Sequence, residues 1–406
     1  MLIVKDGAVL TPTRQFDNGA VAIDDGKITY VGPSENLSIT ARDTVVSAAG
    51  AYIAPGFIDI HVNGGGGADA WHCMDDDEAL RTICQIHAKY GTTSLVPTLI
   101  TAPVDHLLKA IEVISEAKGK DLGGAEILGT LVEGPFISRH EKGAHNPDYI
   151  RIPAESDWGG FLDLAEHILM MTIAPEEDGG CELGAALARR GVVPAVGHSH
   201  AELSVVEKAV DHGFRHVTHL YCSTPGYTRD IARASKVTGL MEASLILDEL
   251  TVEIIGDGKH VPAGLLTLAV KAKGVDRLCT VTDAINATGL GPGTYRLGDM
   301  DIVVEDNVAK LADRTFFAGS VATMDECVRN MMVLGDLSVR DAVRTATAIP
   351  ARIIGVDDRK GRLAPGMDAD LVVFDDNINV KATIVGGNVC HMNDSILQGD
   401  QRGHAV

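Results

Sequence analysis

The chain has 406 residues, 45% of them hydrophobic, and a formal net charge of -21. The hydrophobic share excludes a disordered chain and suffices for one large core with a smaller one beside it. The acidic balance argues against a nucleic-acid partner, because such a surface repels phosphate backbones.

In chain order, the first fifty residues read as short strands: LIVKDGAVL, GAVAIDDGKITYVG and DTVVSAAG, with Asp25-Gly26 as a hairpin signal. The opening MLIVKDGAVLTP carries an acid and lacks a small-residue cleavage site, so it does not read as a signal peptide. From about residue 55 the pattern changes. EALRTICQIHAKYG reads as a helix ending at Gly91, TTSLVPTL as a strand and PVDHLLKAIEVISEAK as a helix. AEILGTLVEG, HILMMTIAPE, VVPAVGH, RHVTHLY and RLCTVTDA continue as strand-like runs. No run approaches the ~18 apolar residues needed to cross a bilayer, so no membrane partner is expected. The seven cysteines are scattered without a CxxC pair, as in a reduced cytoplasmic protein. The end of the chain, GRLAPGMDADLVVFD and NVKATIVGGNVCH, returns to short strands.

Neither strand-rich end alone has enough strands to bury a core, so both ends are expected to share one small β-sandwich. Repeated β then α over roughly 250–300 residues between them predicts a parallel barrel or a doubly wound sheet. No GxGxxG or Walker-type loop follows a strand, which disfavours a nucleotide cofactor. The position of polar residues decides for the barrel. His61 follows FIDI, Glu133 follows ILGTLV, His198 follows VVPAVG, His219 follows HVT and Asp283 follows CTVT. In a TIM barrel the C-terminal strand ends converge on one face, where active sites form. Histidines and a glutamate with a nearby aspartate are the makings of a metal centre with an acid/base group. Taken singly, each has an ordinary structural reading, such as a hydrogen-bonded core histidine or an aspartate N-cap. The expected layout is an α/β chain with a (β/α)8 barrel over residues 55–359 and a β-sandwich from 1–54 and 360–406.

At these residues the sequence resembles the N-acetylglucosamine-6-phosphate deacetylase family of the amidohydrolase superfamily. The resemblance rests on PGFIDIHVNGGGGAD, LVEGPFIS, KGAHNP, VGHSHA, VTHLY, VEIIGDGKHV, VTDAINATG, FAGS and GRLAPGMDADLVVFD. It implies a (β/α)8 barrel with a terminal β-sandwich, and a divalent ion held by Glu133, His198 and His219. One Zn2+ per chain is the expected ion, with Fe2+, Mn2+ or Co2+ as alternatives. It implies Asp283 as general base and acid, and His145 as the group that polarises the substrate carbonyl. His260 would contact the sugar or its phosphate, and Arg229 lies about where relatives carry a phosphate-binding arginine that crosses a dimer interface. A homodimer acting on a phosphorylated amino sugar is therefore implied.

Two departures stand out. Where some relatives have His-x-His and bind two metals, this chain has His61-x-Asn63, which reads as a second site left empty or weak. Gly64 to Gly67 beyond it serve either close approach to substrate or a plain turn. In THLYCSTPGYTRD, Cys222 and Ser223 replace the family's Asn-Ala beside the sugar phosphate. The gluco epimer is thus not assured. N-acetylgalactosamine 6-phosphate, a neutral N-acetyl sugar, another N-acyl substrate and a catalytically inactive binding protein are rival readings.

Overall fold

The computed structural model describes residues 1–230, 232, 234–393 and 396. Eight strands run parallel around a barrel: β1 (Phe57–Val62), β2 (Thr92–Ile100), β3 (Thr130–Glu133), β4 (Ile168–Ile173), β5 (Val193–Val196), β6 (His216–Val217), β7 (Thr251–Ile255) and β8 (Leu278–Val281). Each pairs in parallel with the next, and a parallel bridge from Val62 to Ala284 brings β8 round to β1. An apolar cluster of Ile58, Ile60, Val96, Leu131, Met170, Ala195, Ile255 and Val281 packs within the barrel. Buried faces of the helices Ala79–Ala88 and Val104–Ala117 join an outer layer through Ile83, Leu107, Ile111 and Ile114. These are the two helices expected from their apolar periodicity.

Both chain ends enter one eight-stranded sheet. Tyr52–Pro55 pairs antiparallel with Leu371–Phe374, which joins the N-terminal strands to the C-terminal ones. The long strand Leu2–Leu10 is irregular around Gly7 and takes different parallel neighbours on either side: Thr44–Ser47, then Tyr52–Pro55. The sheet has its own core, with Val4, Val21 and Ile53 packed with Leu371, Val373 and Ile384. Asp25 and Gly26 both have positive φ, 48° and 71°, as a type I′ hairpin turn requires.

Three features were not foreseen from the sequence. Thr251–Ile255 is a barrel strand, although its polar content hides it. Gly293–Leu297, Met300–Glu305 and Val308–Leu311 form a three-stranded antiparallel sheet inserted after β8. Thr228–Asp230 and Ser235–Val237 form a small hairpin that carries Arg229.

Candidate active site

At the C-terminal mouth of the barrel lies a cleft of about 280 Å3. Asn63, Glu133, His145, His198, His219, Cys222, Ser223, His260 and Asp283 all line it. Glu133 is the last residue of β3, and His198, His219 and Asp283 each stand two residues beyond β5, β6 and β8. Those last three have left-handed backbones, with φ of 47°, 27° and 50°. Such conformations cost roughly 1–3 kcal/mol each for non-glycine residues and persist only where the surroundings enforce them. Here the enforcing bonds are main-chain ones: Ser138 N–H donates to His198 O (2.9 Å), and Asp283 N–H to His61 O (3.1 Å).

The imidazoles of His198 and His219 bring their Nε2 atoms to 3.1 Å from each other. Glu133 Oε1 lies 2.8 Å from His219 Nε2 and 3.2 Å from His198 Nε2. His198 Nδ1 donates to Glu141 O (2.7 Å), and His219 Nδ1 donates to Cys222 O (3.2 Å). A neutral imidazole protonated on Nδ1 turns its Nε2 lone pair toward the centre. Two such lone pairs and a carboxylate oxygen packed this closely need a shared positive charge, and a divalent ion with N and O ligands fits them. Burial works against ionising Glu133, but the neighbouring histidines, His61 foremost, hold its carboxyl well below the usual range.

Asp283 is placed to handle protons. Its Oδ1 accepts from Asn63 Nδ2 at 2.7 Å and lies 3.4 Å from His61 Nε2. Burial, the largest influence, raises its pKa, with the charge of Glu133 adding to the rise. On the other side of Glu133, His145 Nδ1 accepts from Thr101 N–H (3.3 Å), with Thr101 Oγ1 2.8 Å away. That leaves the imidazole proton on Nε2, 3.7 Å from Glu133 Oε2 and facing the cleft. Burial, then the adjacent His198, push His145 down to about 3, so it is a neutral donor.

The other expected residues divide. His260 lines the cleft, with Nδ1 2.7 Å from Asp257 Oδ2 and its ring edge-on to Phe317. Cys222 contributes its carbonyl to His219, while burial raises its thiol pKa and leaves it unreactive. Ser223 lines the wall. Arg229 is exposed on its hairpin and does not line the cleft of its own chain. No Lys or Arg lines the cleft among the described residues. Gly64 to Gly67 do not line it either; they make a tight turn, and a side chain at Gly64 would meet Ala68 O at 2.3 Å. His61 is buried beneath the centre, its Nε2 3.4 Å from Glu133 Oε2.

Sequence reasoning missed several residues here. Glu253 accepts bonds from His61 and from the His219 backbone, Asp59 accepts from Thr282 N–H, and Thr101 sets the His145 tautomer. Glu253 and Asp59 lie within strands, where an acid reads as the solvent-facing half of an alternation. Phe316, just before FAGS, and Phe317, which opens it, form an exposed aromatic rim.

A parallel barrel whose strand ends gather two histidines, a glutamate and an aspartate around one cleft defines a metal-dependent hydrolase. Comparison with known proteins agrees. The Amidohydrolase family pattern matches residues 52–390. A Danio rerio N-acetylglucosamine-6-phosphate deacetylase is 37% identical over 85% of this chain and 86% of the relative. The Bacillus subtilis enzyme of that name is 32% identical over 97% of this chain and 98% of the relative. Among solved structures, a variant of the Mycobacterium smegmatis deacetylase in complex with N-acetyl-D-glucosamine-6-phosphate superposes with a TM-score of 0.87. It is 33% identical, covering 96% of this chain and 99% of that one. The chain belongs to the amidohydrolase family and, within it, to the N-acetylglucosamine-6-phosphate deacetylases.

Proposed function

We propose that this chain hydrolyses the acetamide of N-acetylglucosamine 6-phosphate, giving glucosamine 6-phosphate and acetate. The observation that carries the reading is the convergence of Glu133, His198 and His219 with Asp283 and His145 on one cleft. Glu133, His198 and His219 would hold the divalent ion, and two imidazoles with a carboxylate suit Zn2+. When bound, such an ion supplies Lewis-acid polarisation of a carbonyl and acidifies water. His145 Nε2–H donates to the carbonyl oxygen as negative charge develops on it. Asp283 takes a proton from the attacking water and delivers it to the amine nitrogen as the C–N bond breaks. The Asn63 amide orients Asp283 for that exchange. The products are acetate and the free amine, so atoms and protons balance without another reactant. Arg229 of a second copy supplies the phosphate contact in a homodimer, and His260 lies on the sugar side.

The absence of Lys and Arg from the lining of a single chain's cleft, among the described residues, favours one second reading: a neutral N-acetyl sugar as substrate. A panel of N-acetylated hexosamines, with and without 6-phosphate and of both epimers, assayed for acetate release, separates the two.

A further inference from the structure

Glu253 lies on β7 with no exposure to solvent and does not line the cleft. A carboxylate in such a place is tolerated only when its oxygens are bonded. Its Oε2 accepts from His61 Nδ1 at 3.0 Å and from the His219 main-chain N–H at 3.1 Å. Its Oε1 accepts from His216 Nε2 at 3.1 Å, while His216 Nδ1 is braced by Thr251 Oγ1 at 2.6 Å. Both bonds to Oε2 have a geometric consequence at the centre. One turns the His61 ring so that its Nε2 faces Glu133 and Asp283, 3.4 Å from each. The other holds His219 in its left-handed conformation, φ 27°, which brings its Nε2 to Glu133 Oε1.

We propose that Glu253 is the positioning residue of this centre, fixing His219 and His61 from behind through the reach of its carboxylate. Groups that orient metal-binding histidines change metal affinity by roughly 10–100-fold when removed. Burial opposes the charge of Glu253 most strongly, yet His61 and the bonds from His216 and His61 outweigh it and hold the carboxyl below its usual range. The inference rests on reading Glu133, His198 and His219 as metal ligands.

The test separates reach from charge. Glu253→Asp keeps the charge and withdraws it by one methylene, whereas Glu253→Gln keeps the reach and an acceptor oxygen but removes the charge. Co2+ affinity is measured by equilibrium dialysis and by the visible spectrum of the loaded protein, without substrate. Expected is a loss of about tenfold or more for Glu253→Asp and less than about threefold for Glu253→Gln. With Co2+ saturating, kcat of Glu253→Asp should fall while KM stays within about twofold, since substrate contacts are untouched. Native affinity in Glu253→Asp, or an equal loss in Glu253→Gln, overturns the proposal. If Glu253→Asp does not fold, Glu253→Gln decides alone, because a tenfold loss there makes charge the operative property. A native protein that takes up no Co2+ removes the metal-centre reading itself.

Discussion

In the proposed reaction Asp283 and His145 divide the chemistry, and their surroundings shift their pKa values in opposite directions. Burial raises the pKa of Asp283 above the ordinary carboxylate value, so its base form is lost as pH falls through that raised value. A divalent ion beside Asp283 adds positive charge that draws this pKa back down, so kcat/KM of the metal-loaded protein should decline on the acid side through the carboxylate range, approaching tenfold per pH unit. A flat profile across that range would assign the base elsewhere. Asp283→Asn should retain the metal and lose about 10²–10⁴ in kcat, read by steady-state kinetics beside metal analysis. His145 is neutral with its proton on Nε2, which suits the proposed role of stabilising charge rather than transferring a proton. His145→Ala should lower kcat by about 10²–10³ with KM little changed. Asn63 donates its amide N–H to Asp283, while its amide oxygen is buried without a hydrogen-bond partner, as is His61 Nε2. One equivalent of metal per chain is the expected result of metal analysis after dialysis, and two full equivalents would contradict it. Glu133, His198, His219 and Asp283 were legible in the sequence because each ends or closely follows an apolar run. Glu253 was not, because TVEII resembles an alternating strand with its acid in solvent, and only barrel closure turns that acid inward.

At the scale of elements, the terminal sheet meets the barrel through a buried ion cluster. Lys360, 1% exposed, reaches Glu126 Oε2 at 2.6 Å and also pairs with Asp370 and Asp368. Arg359 joins Glu126 and Asp368 from the side, at 3.1 and 2.6 Å. Glu126 belongs to a short strand on β2, whereas Asp370 directly precedes the strand Leu371–Phe374 of the terminal sheet. Three carboxylates so close are a candidate cation site by ligand type, but the Lys360 ammonium already supplies the charge. Lys360→Met leaves the buried Asp370 without its cation, while Glu126 and Asp368 keep Arg359, and should destabilise by about 3–5 kcal/mol in denaturant unfolding. Metal content should be unchanged, since the cluster lies apart from the cleft. The composition GMDADLVVFD announces a strand, but not that its acids face a lysine ten residues earlier. The three-stranded insert after β8 was equally hidden. Its strands are short and mostly half-exposed, so their apolar pattern is faint, yet Leu297 reaches the cleft from it.

The whole molecule was the most legible level, because both of its periodicities are strong. Alternating apolar runs and amphipathic helices make a parallel barrel the economical arrangement, and two strand-poor ends need each other to bury Val4, Val21, Leu371 and Val373. The sequence could not reveal that Arg229 stays outside its own chain's cleft, since that depends on where a hairpin projects. If a second copy supplies it, Arg229→Ala should raise KM for a phosphorylated substrate and leave that for the neutral sugar unchanged. No helix among the described residues is long and apolar enough to cross a membrane. The central claim, a metal-dependent deacetylase for a phosphorylated amino sugar, is tested most directly by acetate release from N-acetylglucosamine 6-phosphate and from N-acetylglucosamine. The assay compares native, chelator-stripped and metal-restored protein. The account predicts release from the phosphorylated sugar with kcat/KM at least about tenfold above the neutral one, the difference expected from an added charged contact. It also predicts loss of activity on chelation and recovery with a divalent ion. Activity that survives chelation, or no acetate from either sugar with metal bound, would contradict it.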